Sequence, residues 1–492
     1  MLFFGFSAGI PLLLIFSSLS LWLGEAGVER STVTYFSWAA LAYSFKFLWA
    51  PLVDRIPLPV LTRFLGRRRA WLLLSQLAIL SSVVLIALVN PAQDQALKFM
   101  ALAVVMLGFS AATQDIVIDA FRIESAGKEF QALMSSTYIA GYRIGMITSG
   151  AGALIVASYL GSSVMAYNYE AWRMTYFVMA STMLVGIATT LLAKEPESAT
   201  DSPYHYSSRQ YLKFLSIFVM GVIVFVLTYM FSADVVAELK VSLTEYTSNG
   251  TLSNLLIEGL RLSVGFGLVV GFVRVMALTP LYERALVNEA YVVPVVDFFQ
   301  RYGLRLALLL LVFVGFYRIS DIVLGVISII FFQDLGFTKT EIASVVKTFG
   351  LLMTILGGFI GGVLTIRFGV IRMLYIGAFL TVSTNLLFML LAQVGHNMPI
   401  LYLVISADNL SAGLASAAFI AFLSRLTNTS FTAVQYAIFS SLMTLLPKMI
   451  GGYSGSMVDN LGYSNFFLLA SLMGLPVLFL IYLIQRHAEF KR

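Results

Sequence analysis

Runs of about twenty apolar residues recur from one end of this 492-residue chain to the other, and they constrain the fold more than any other feature. Inside a bilayer every backbone N–H and C=O must find its partner within the protein, which leaves helices or closed barrels. Barrel strands alternate polar and apolar residues over about ten positions, whereas these runs are continuous. Hydrophobic residues make up 59% of the chain and charged residues 11%, against about 45–50% and about 25% in soluble domains. No water-soluble fold could bury that much apolar surface. The class is all-α integral membrane, and disorder, fibrous repeats and ordinary cytosolic catalysis are excluded.

Fourteen candidate spans can be drawn. Six come first, at about 2–24, 34–52, 70–90, 98–120, 131–160 and 173–193. After the polar stretch KEPESATDSPYHYSSRQ come two more, at about 211–232 and 260–279. Six follow at about 303–333, 342–366, 370–394, 398–424, 431–452 and 464–485. The apolar N-terminus lacks the basic flank and clear cleavage site of a signal peptide, and is read as the first span.

Charge placement orients the spans. Arg55, Arg63, Arg67, Arg68 and Arg69 cluster after the second span, and Arg274, Arg284, Arg301, Arg305, Arg367, Arg372 and Arg425 fall on the same side. The opposite connections are poor in base and carry Glu25, Glu29, Asp334, Glu341 and Asp459. The positive-inside rule then places both termini in the cytoplasm. It also accounts for the net charge of +6 without a nucleic-acid partner. The chain has no Cys and three His in polar or terminal stretches, so no metal site or cofactor is expected. There is no HExxH and no P-loop, and GYSGS at 452–456 lacks a His base, so an enzyme is not expected.

Six spans, a cytoplasmic middle and six more spans resemble the major facilitator superfamily. Internal similarity adds to this: GALIVASYLG and AWRMTYFVMA close the first half, GGYSGSMVDNLG and YSNFFLLA the second. The expected fold is therefore two six-helix halves, residues 1–197 and 303–492, plus two extra helices within 198–302. Halves related by an axis along the membrane normal place a substrate site between them, near the midplane.

A charge at mid-membrane costs about 2.5–3.5 kcal/mol on insertion scales, so it marks function. The fourth span ends FSAATQDIVIDAFRIE, with Asp115 and Asp119 four apart on one helix face beside Gln114. Either acid is a proton-coupling candidate, or Asp119 simply pairs Arg122 or Arg143. Lys46 sits in an apolar run between Tyr43 and Trp49, where a cation needs an anionic partner or substrate. Arg143 lies well inside the fifth span, and its guanidinium suits a carboxylate. Gly141 and Gly145 in that span have the spacing of close helix contact, as does GGFIGG at 357–362. In the second half Arg318 and Asp321 are three apart, which permits an internal pair; Asp321 and Asp408, which precedes Asn409, are further proton-coupling candidates, and Lys347 in VVKTFG joins Lys46, Gln114 and Arg143 as a substrate-binding candidate. Tyr35, Trp38, Tyr43, Tyr138 and Tyr142 could stack on a sugar ring, or face lipid. Asp54, Arg55, Gly66, Arg67 and Arg68 resemble the superfamily's conformational motif after span two.

The stretches GFSAGIPLLL, AYSFKFLWAPLVDR, GRRRAWLL, SAATQDIVIDAF, GYRIGM, GFTKTEIASVVKTFGLL and ADNLSAGLASAAFIAFL are similar to the AmpG family, the muropeptide permeases of Gram-negative inner membranes. The resemblance covers roughly residues 3–197 and 303–450. It implies proton-coupled import of anhydro-muropeptides, the sugar–peptide fragments of turned-over cell wall, whose recycling feeds β-lactamase induction in some bacteria. By position, Gln114, Asp115, Asp119, Lys46, Arg143, Asp321 and Lys347 match polar positions of that family, and Asp408 stands where Glu is usual. Residues 211–300 have no counterpart in it. The related acetyl-coenzyme A transporters share parts of the span-two pattern, so another large anionic solute is the competing cargo. A non-transporting membrane receptor on the same scaffold is the alternative from a different class. The expected partners are the lipid bilayer, the muropeptide and protons, with the chain acting as a monomer.

Overall fold

The computed structural model describes residues 1–28, 36, 42–93, 96–127, 129–163, 166–197, 206–247, 250–338 and 341–487. Among them the regular structure is helical, apart from one isolated bridge between Ser163 and Ala166. The first half comprises α1 (Leu2–Glu25), α2 (Ala42–Phe45 and Ala50–Arg55, joined by a 3₁₀ turn at Lys46–Leu48), α3 (Arg67–Ala87), α4 (Ala96–Glu124), α5 (Gln131–Tyr159) and α6 (Tyr169–Leu192). Three helices follow the first half in sequence: α7 (Ser208–Phe231), α8 (Ala233–Thr247) and α9 (Gly250–Leu278). The second half comprises α10 (Val293–Phe316), α11 (Ile319–Asp334), α12 (Ile342–Phe368), α13 (Val370–Val394), α14 (Met398–Leu426), α15 (Thr432–Gly451) and α16 (Ser454–Gln485).

Thirteen helical segments among the described residues are long and apolar enough to cross a membrane. The expected span at 34–52 falls largely on residues outside the described set, so α2 is seen only in its second part. The span expected at 303–333 is interrupted at Tyr317–Arg318, where α10 gives way to α11. The chain forms two compact units: Met1–Asp201 with Phe298–Arg492, and Ser202–Asp297.

The larger unit holds both halves. In the first half, π-helical turns at Leu14–Ser18 and Thr148–Gly152 widen α1 and α5. A π-turn shifts the backbone ladder and leaves carbonyls for side chains to satisfy. The Tyr176 hydroxyl donates to the Leu14 carbonyl at 3.1 Å, and Ser18 Oγ donates to the Ser149 carbonyl at 2.7 Å. The second half is aromatic at its centre, where Tyr317 stacks on Phe419 at 4.3 Å and Phe313 meets Phe422 edge-on at 5.3 Å.

Glycine spacing sets the closest crossings. A Cβ on Gly141 would lie 1.9 Å from the Leu2 carbonyl oxygen, and one on Gly145 2.2 Å from that of Phe6. α1 and α5 therefore touch backbone to backbone, as the sequence spacing predicts. GGFIGG serves two neighbours at once. Gly357 and Gly361 admit α14, at Leu410 and Leu414. Gly358 and Gly362 lie one residue on, turned toward α5: Ser136 Oγ donates to the Gly358 carbonyl at 2.7 Å, and a Cβ on Gly362 would meet Ser136 Oγ at 2.5 Å.

The smaller unit is built on α7 and α9. Phe225 packs on Phe266 with centroids 5.3 Å apart. Arg261 of α9 donates to the Tyr229 carbonyl at 2.5 Å and lies over the Tyr229 ring at 4.4 Å. α8 was not expected from sequence. Its apolar Val235, Leu239 and Val241 are interleaved with Asp234, Glu238, Lys240 and Glu245, which breaks up the continuous run that marks a span. Lys240 pairs with Glu258 at 2.6 Å and joins α8 to α9.

Candidate functional site

The two halves of the larger unit meet mainly toward one end, which carries the chain's N-terminus and the α2–α3, α4–α5 and α10-side connections; we call it the inner end. Here α5 over Gln131–Ile147 packs on α12 over Gly350–Phe368, and α15 packs on α2 and α4. The far stretches Ala153–Tyr159 of α5 and Ile342–Phe349 of α12 pack substantially only within their own halves.

Arg68 anchors the inner end. It is fully buried, pairs bidentately with Glu124 at 2.5 and 3.0 Å, and pairs with Asp54 at 2.9 Å. The planar guanidinium fork matches two carboxylates in a way that a lysine ammonium does not. The second carboxylate oxygen of Asp54 accepts the Val434 backbone N–H at 3.0 Å, across the boundary between halves. Val434 lies in the first turn of α15, where the helix dipole favours an anion. Arg55 lies over the Phe431 ring at 5.7 Å, a second contact across the same boundary. Arg67 donates to the Asp54 carbonyl at 3.2 Å. Gly66 precedes α3, and the Arg68 and Arg69 N–H groups of that first turn donate to the Glu195 carboxylate at 2.7 and 3.1 Å. Burial pushes the Glu195 carboxyl above its ordinary range, against the two backbone hydrogen bonds that favour its charge.

Arg122 joins the halves one turn further in. It is fully buried and donates to Gln131 Oε1 at 3.1 Å, Ser135 Oγ at 3.0 Å and, in the second half, Ser424 Oγ at 3.0 Å. Its guanidinium lies over the Tyr436 ring at 5.3 Å and reaches Asp119 at 3.6 Å. Asp119 also takes Lys46 at 3.5 Å. Lys46 and Asp119 therefore neutralise each other between α2 and α4. Gln114 is fully buried and accepts a hydrogen bond from Ser7 of α1 at 2.8 Å, so the structure places it at a helix contact.

Beyond that layer the two halves part around a polar middle. Asp115 is half-buried; its nearest polar contact is the Tyr138 hydroxyl at 3.5 Å, and no cation lies within 4 Å among the described residues. The charges of Lys46 and Asp119 reach it through space, and Tyr43, Tyr138 and Tyr142 also lie within its electrostatic reach. In the second half Arg318 and Asp321 form an ion pair, as their spacing predicts. Asp408 is half-buried within reach of Asp321 and Thr384, and no cation among the described residues pairs with it. The four acids thus divide: Asp119 and Asp321 are ion-paired, Asp115 and Asp408 are not. Tyr35 and Trp38 lie outside the described residues.

Toward the open end the charges change character. Arg143 of α5 has no carboxylate within 4 Å among the described residues, and its one short polar contact is the Met146 sulfur at 4.0 Å. The charges of Arg318 and Asp321 reach it through space. Lys347 is exposed on the π-helical start of α12, with no partner among the described residues. Lys448 of α15 is likewise exposed. Sequence reasoning missed it, although it lies inside the span drawn at 431–452 and the rule that an intramembrane charge marks function applies to it. It lies fourteen residues beyond Val434, about four turns further toward the open end. Among the described residues no three His, Asp or Glu side chains gather as a metal site requires.

Comparison with known proteins follows the same lines. The family model described as Major Facilitator Superfamily matches residues 1–317. AmpG 4 of Rickettsia conorii, a transporter in name, is 30% identical over 477 residues, covering 97% of this chain and 94% of the relative. The anhydromuropeptide permease of Escherichia coli strain K12 is 28% identical over 493 residues, 100% of this chain and 80% of the relative. Among solved structures, the proton:xylose symporter XylE bound to 6-bromo-6-deoxy-D-glucose superposes with a TM-score of 0.58, covering 98% of this chain and 92% of that one. Its sequence identity is 12%, so it speaks to the fold.

Proposed function

The chain belongs to the major facilitator superfamily and, within it, to the AmpG family, and we propose that it imports anhydro-muropeptides into the cytoplasm in symport with protons. The observation that carries this reading is the similarity, over the whole of this chain and 80% of the relative, to a permease named for that cargo. The site is compatible with it. A sugar–peptide with acidic groups calls for aromatic faces and cations, and Tyr43, Tyr138, Tyr142, Arg143 and Lys347 are side chains of both types.

In this reading the halves 1–197 and 303–492 rock about their shared contact, exposing the middle to each side in turn. The inner end is the cytoplasmic one in a bacterial inner membrane. The described conformation, packed there and parted at the far end, is then the one that receives cargo from the periplasm. Protons ride on Asp115 and Asp408. Asp119 is engaged by Lys46 and Arg122. An acid among tyrosine hydroxyls with no paired cation changes protonation as water, cargo or a cation comes and goes. Lys46 and Asp119 hold α2 to α4 while the halves rock.

Uptake of labelled anhydro-muropeptide into vesicles, with and without an imposed inward proton gradient, tests the reading. Gradient-dependent accumulation is expected. Asp115→Asn should keep binding and lose concentrative uptake, while Asp115→Glu retains a part. A well-inserted wild-type protein that accumulates nothing under the gradient would overturn the cargo. Wild-type accumulation by Asp115→Asn would move the proton to Asp408.

A further inference from the structure

The contact between α5 and α12 continues beyond the point where it is packed. At its inner part Ser136 bonds to Gly358, and Ala132 and Ser136 face Gly362. These residues define the face that each helix turns toward the other. Seven residues along α5 is two turns, so Arg143 lies on the same face as Ser136, about 10 Å further toward the open end. Eleven residues back along α12 is three turns, so Lys347 lies on the same face as Gly358, about 16 Å toward the open end. The two cations therefore project from facing stripes at depths within about one helical turn of each other. Small residues occupy these stripes where the halves touch, and cations occupy them where the halves part.

Neither cation has a carboxylate partner among the described residues, in contrast to Lys46, Arg68, Arg122 and Arg318. If the outer ends of α5 and α12 came together as their inner ends have, Arg143 and Lys347 would be brought toward each other and away from water. Two like charges in a narrowing, poorly hydrated gap repel strongly, and removing water strengthens that repulsion. An acidic group between them reverses the sign of the interaction and satisfies donors from both sides.

We infer that Arg143 and Lys347 form a two-cation site for a carboxylate of the cargo, and that this site holds the outer ends of α5 and α12 apart until the carboxylate is present. The site is shared between the halves and is complete only when they close. Arg143 supplies a planar fork and Lys347 a point charge on a flexible arm, so the lysine can follow the closing movement while the arginine fixes the carboxylate plane. The inference rests on the transport reading only for the identity of the cargo. The dependence of closure on the product of the two charges follows from their placement alone.

The chain has no Cys, so labels can be placed singly or in pairs without removing any. Spin labels on Ile155→Cys of α5 and Ser344→Cys of α12, both exposed, report the outer gap by pulsed dipolar spectroscopy. Without ligand, the unsubstituted pair should show the long distance. Lys347→Glu, which can pair with Arg143, should raise the short-distance fraction about tenfold or more with no ligand present. Lys347→Met should give a smaller rise. Lys347→Glu combined with Arg143→Glu puts like charges back and should restore the long distance, which also controls for misfolding of the single variant. Anhydro-muropeptide should close the wild-type gap, and the same compound with its carboxylates amidated should not. Equal ligand-free distances in wild type and Lys347→Glu would overturn the inference. Closure by the amidated compound would overturn it as well. Failure of the transport reading looks different: muropeptide neither accumulates nor closes the gap, while the distances still follow the charges.

Discussion

The two ends of the space between the halves treat charge in opposite ways. At the inner end Asp54, Arg68, Asp119, Arg122 and Glu124 form a buried set in which each charge has an opposite partner within 4 Å, and side chains of both halves contribute. Toward the outer end Arg143, Lys347 and Lys448 have no carboxylate within 4 Å among the described residues. Charge satisfied inside the protein makes a contact that holds without cargo. Charge left unsatisfied makes a surface whose closure depends on what enters. The difference teaches that the two ends of the same helices can be specialised by the charges they carry and by whether those charges find partners within the protein.

The largest way to break this comparison is at Arg68. Arg68→Ala leaves Asp54 and Glu124 buried without their cation, and removing one partner of a buried pair costs about 3–5 kcal/mol. Thermal unfolding in detergent should show the loss, with little protein surviving extraction. Arg68→Lys should recover only a part, because an ammonium cannot make the bidentate contact to Glu124 while holding Asp54. By contrast Lys448→Met, at the outer end, should leave the unfolding temperature near wild type. Comparable losses at both positions would erase the distinction between satisfied and unsatisfied charge.

A second pair of substitutions sharpens it within a single helix. A Cβ at Gly357 would sit 2.2 Å from the Leu410 backbone oxygen, inside the second half, where neither helix can yield cheaply. Gly357→Ala should therefore lower stability, by about 1–3 kcal/mol as overpacking does. A Cβ at Gly362 would meet the Ser136 hydroxyl of the other half at 2.5 Å, and the halves can part to relieve it. Gly362→Ala should leave stability nearly intact and favour the form open at the inner end. A cysteine at Ser136, which is buried, reads this out by its rate of alkylation. Gly357→Ala should not raise that rate.

Much of the fold is legible in the sequence, because a span needs about twenty apolar residues whatever surrounds it. The GxxxG and GGFIGG spacings also announce their contacts, since a missing Cβ has few other uses in a helix that packs this closely. Charged residues inside apolar runs pick out themselves but not their partners. Arg68 and Glu124 are 56 residues apart, and Asp54 and Val434 are 380 apart. Such pairings depend on how helices are arranged, which periodicity along one helix does not encode. For that reason sequence could place Asp115 and Asp119 on one face and still not say that Lys46 would go to Asp119. The turns at Tyr317–Arg318 and the π segments are hidden for another reason. They leave no mark in the hydropathy of the runs that contain them, and carbonyls of the π segments in α1 and α5 are satisfied by side chains from other helices, as Leu14 is by Tyr176 and Ser149 by Ser18.

The smallest effect is expected at Glu341, on the outer end, where the protein satisfies an acid locally. Glu341 accepts the Thr338 backbone N–H at 2.7 Å and the Thr338 hydroxyl at 2.9 Å, with His396 at 3.3 Å. These groups hold its carboxyl below the ordinary 4.5, the backbone N–H of Thr338 first among them. A carboxyl lowered by folding binds its proton less readily in the folded state than in the unfolded one. Its contribution to stability is therefore complete above the unfolded value of 4.5, and disappears as pH falls through the lower folded value. The unfolding temperature of wild type should exceed that of Glu341→Gln by a small constant amount at neutral pH, and the gap should shrink below about pH 4.5. Repeating the pair with His396→Gln removes the imidazole that lies 3.3 Å from the Glu341 carboxylate. All these contacts lie within the second half, so Glu341→Gln should leave the spacing of the outer ends of α5 and α12 unchanged. A change in that spacing would mean that the outer gap responds to any lost acid, and not to the charges that face each other across it.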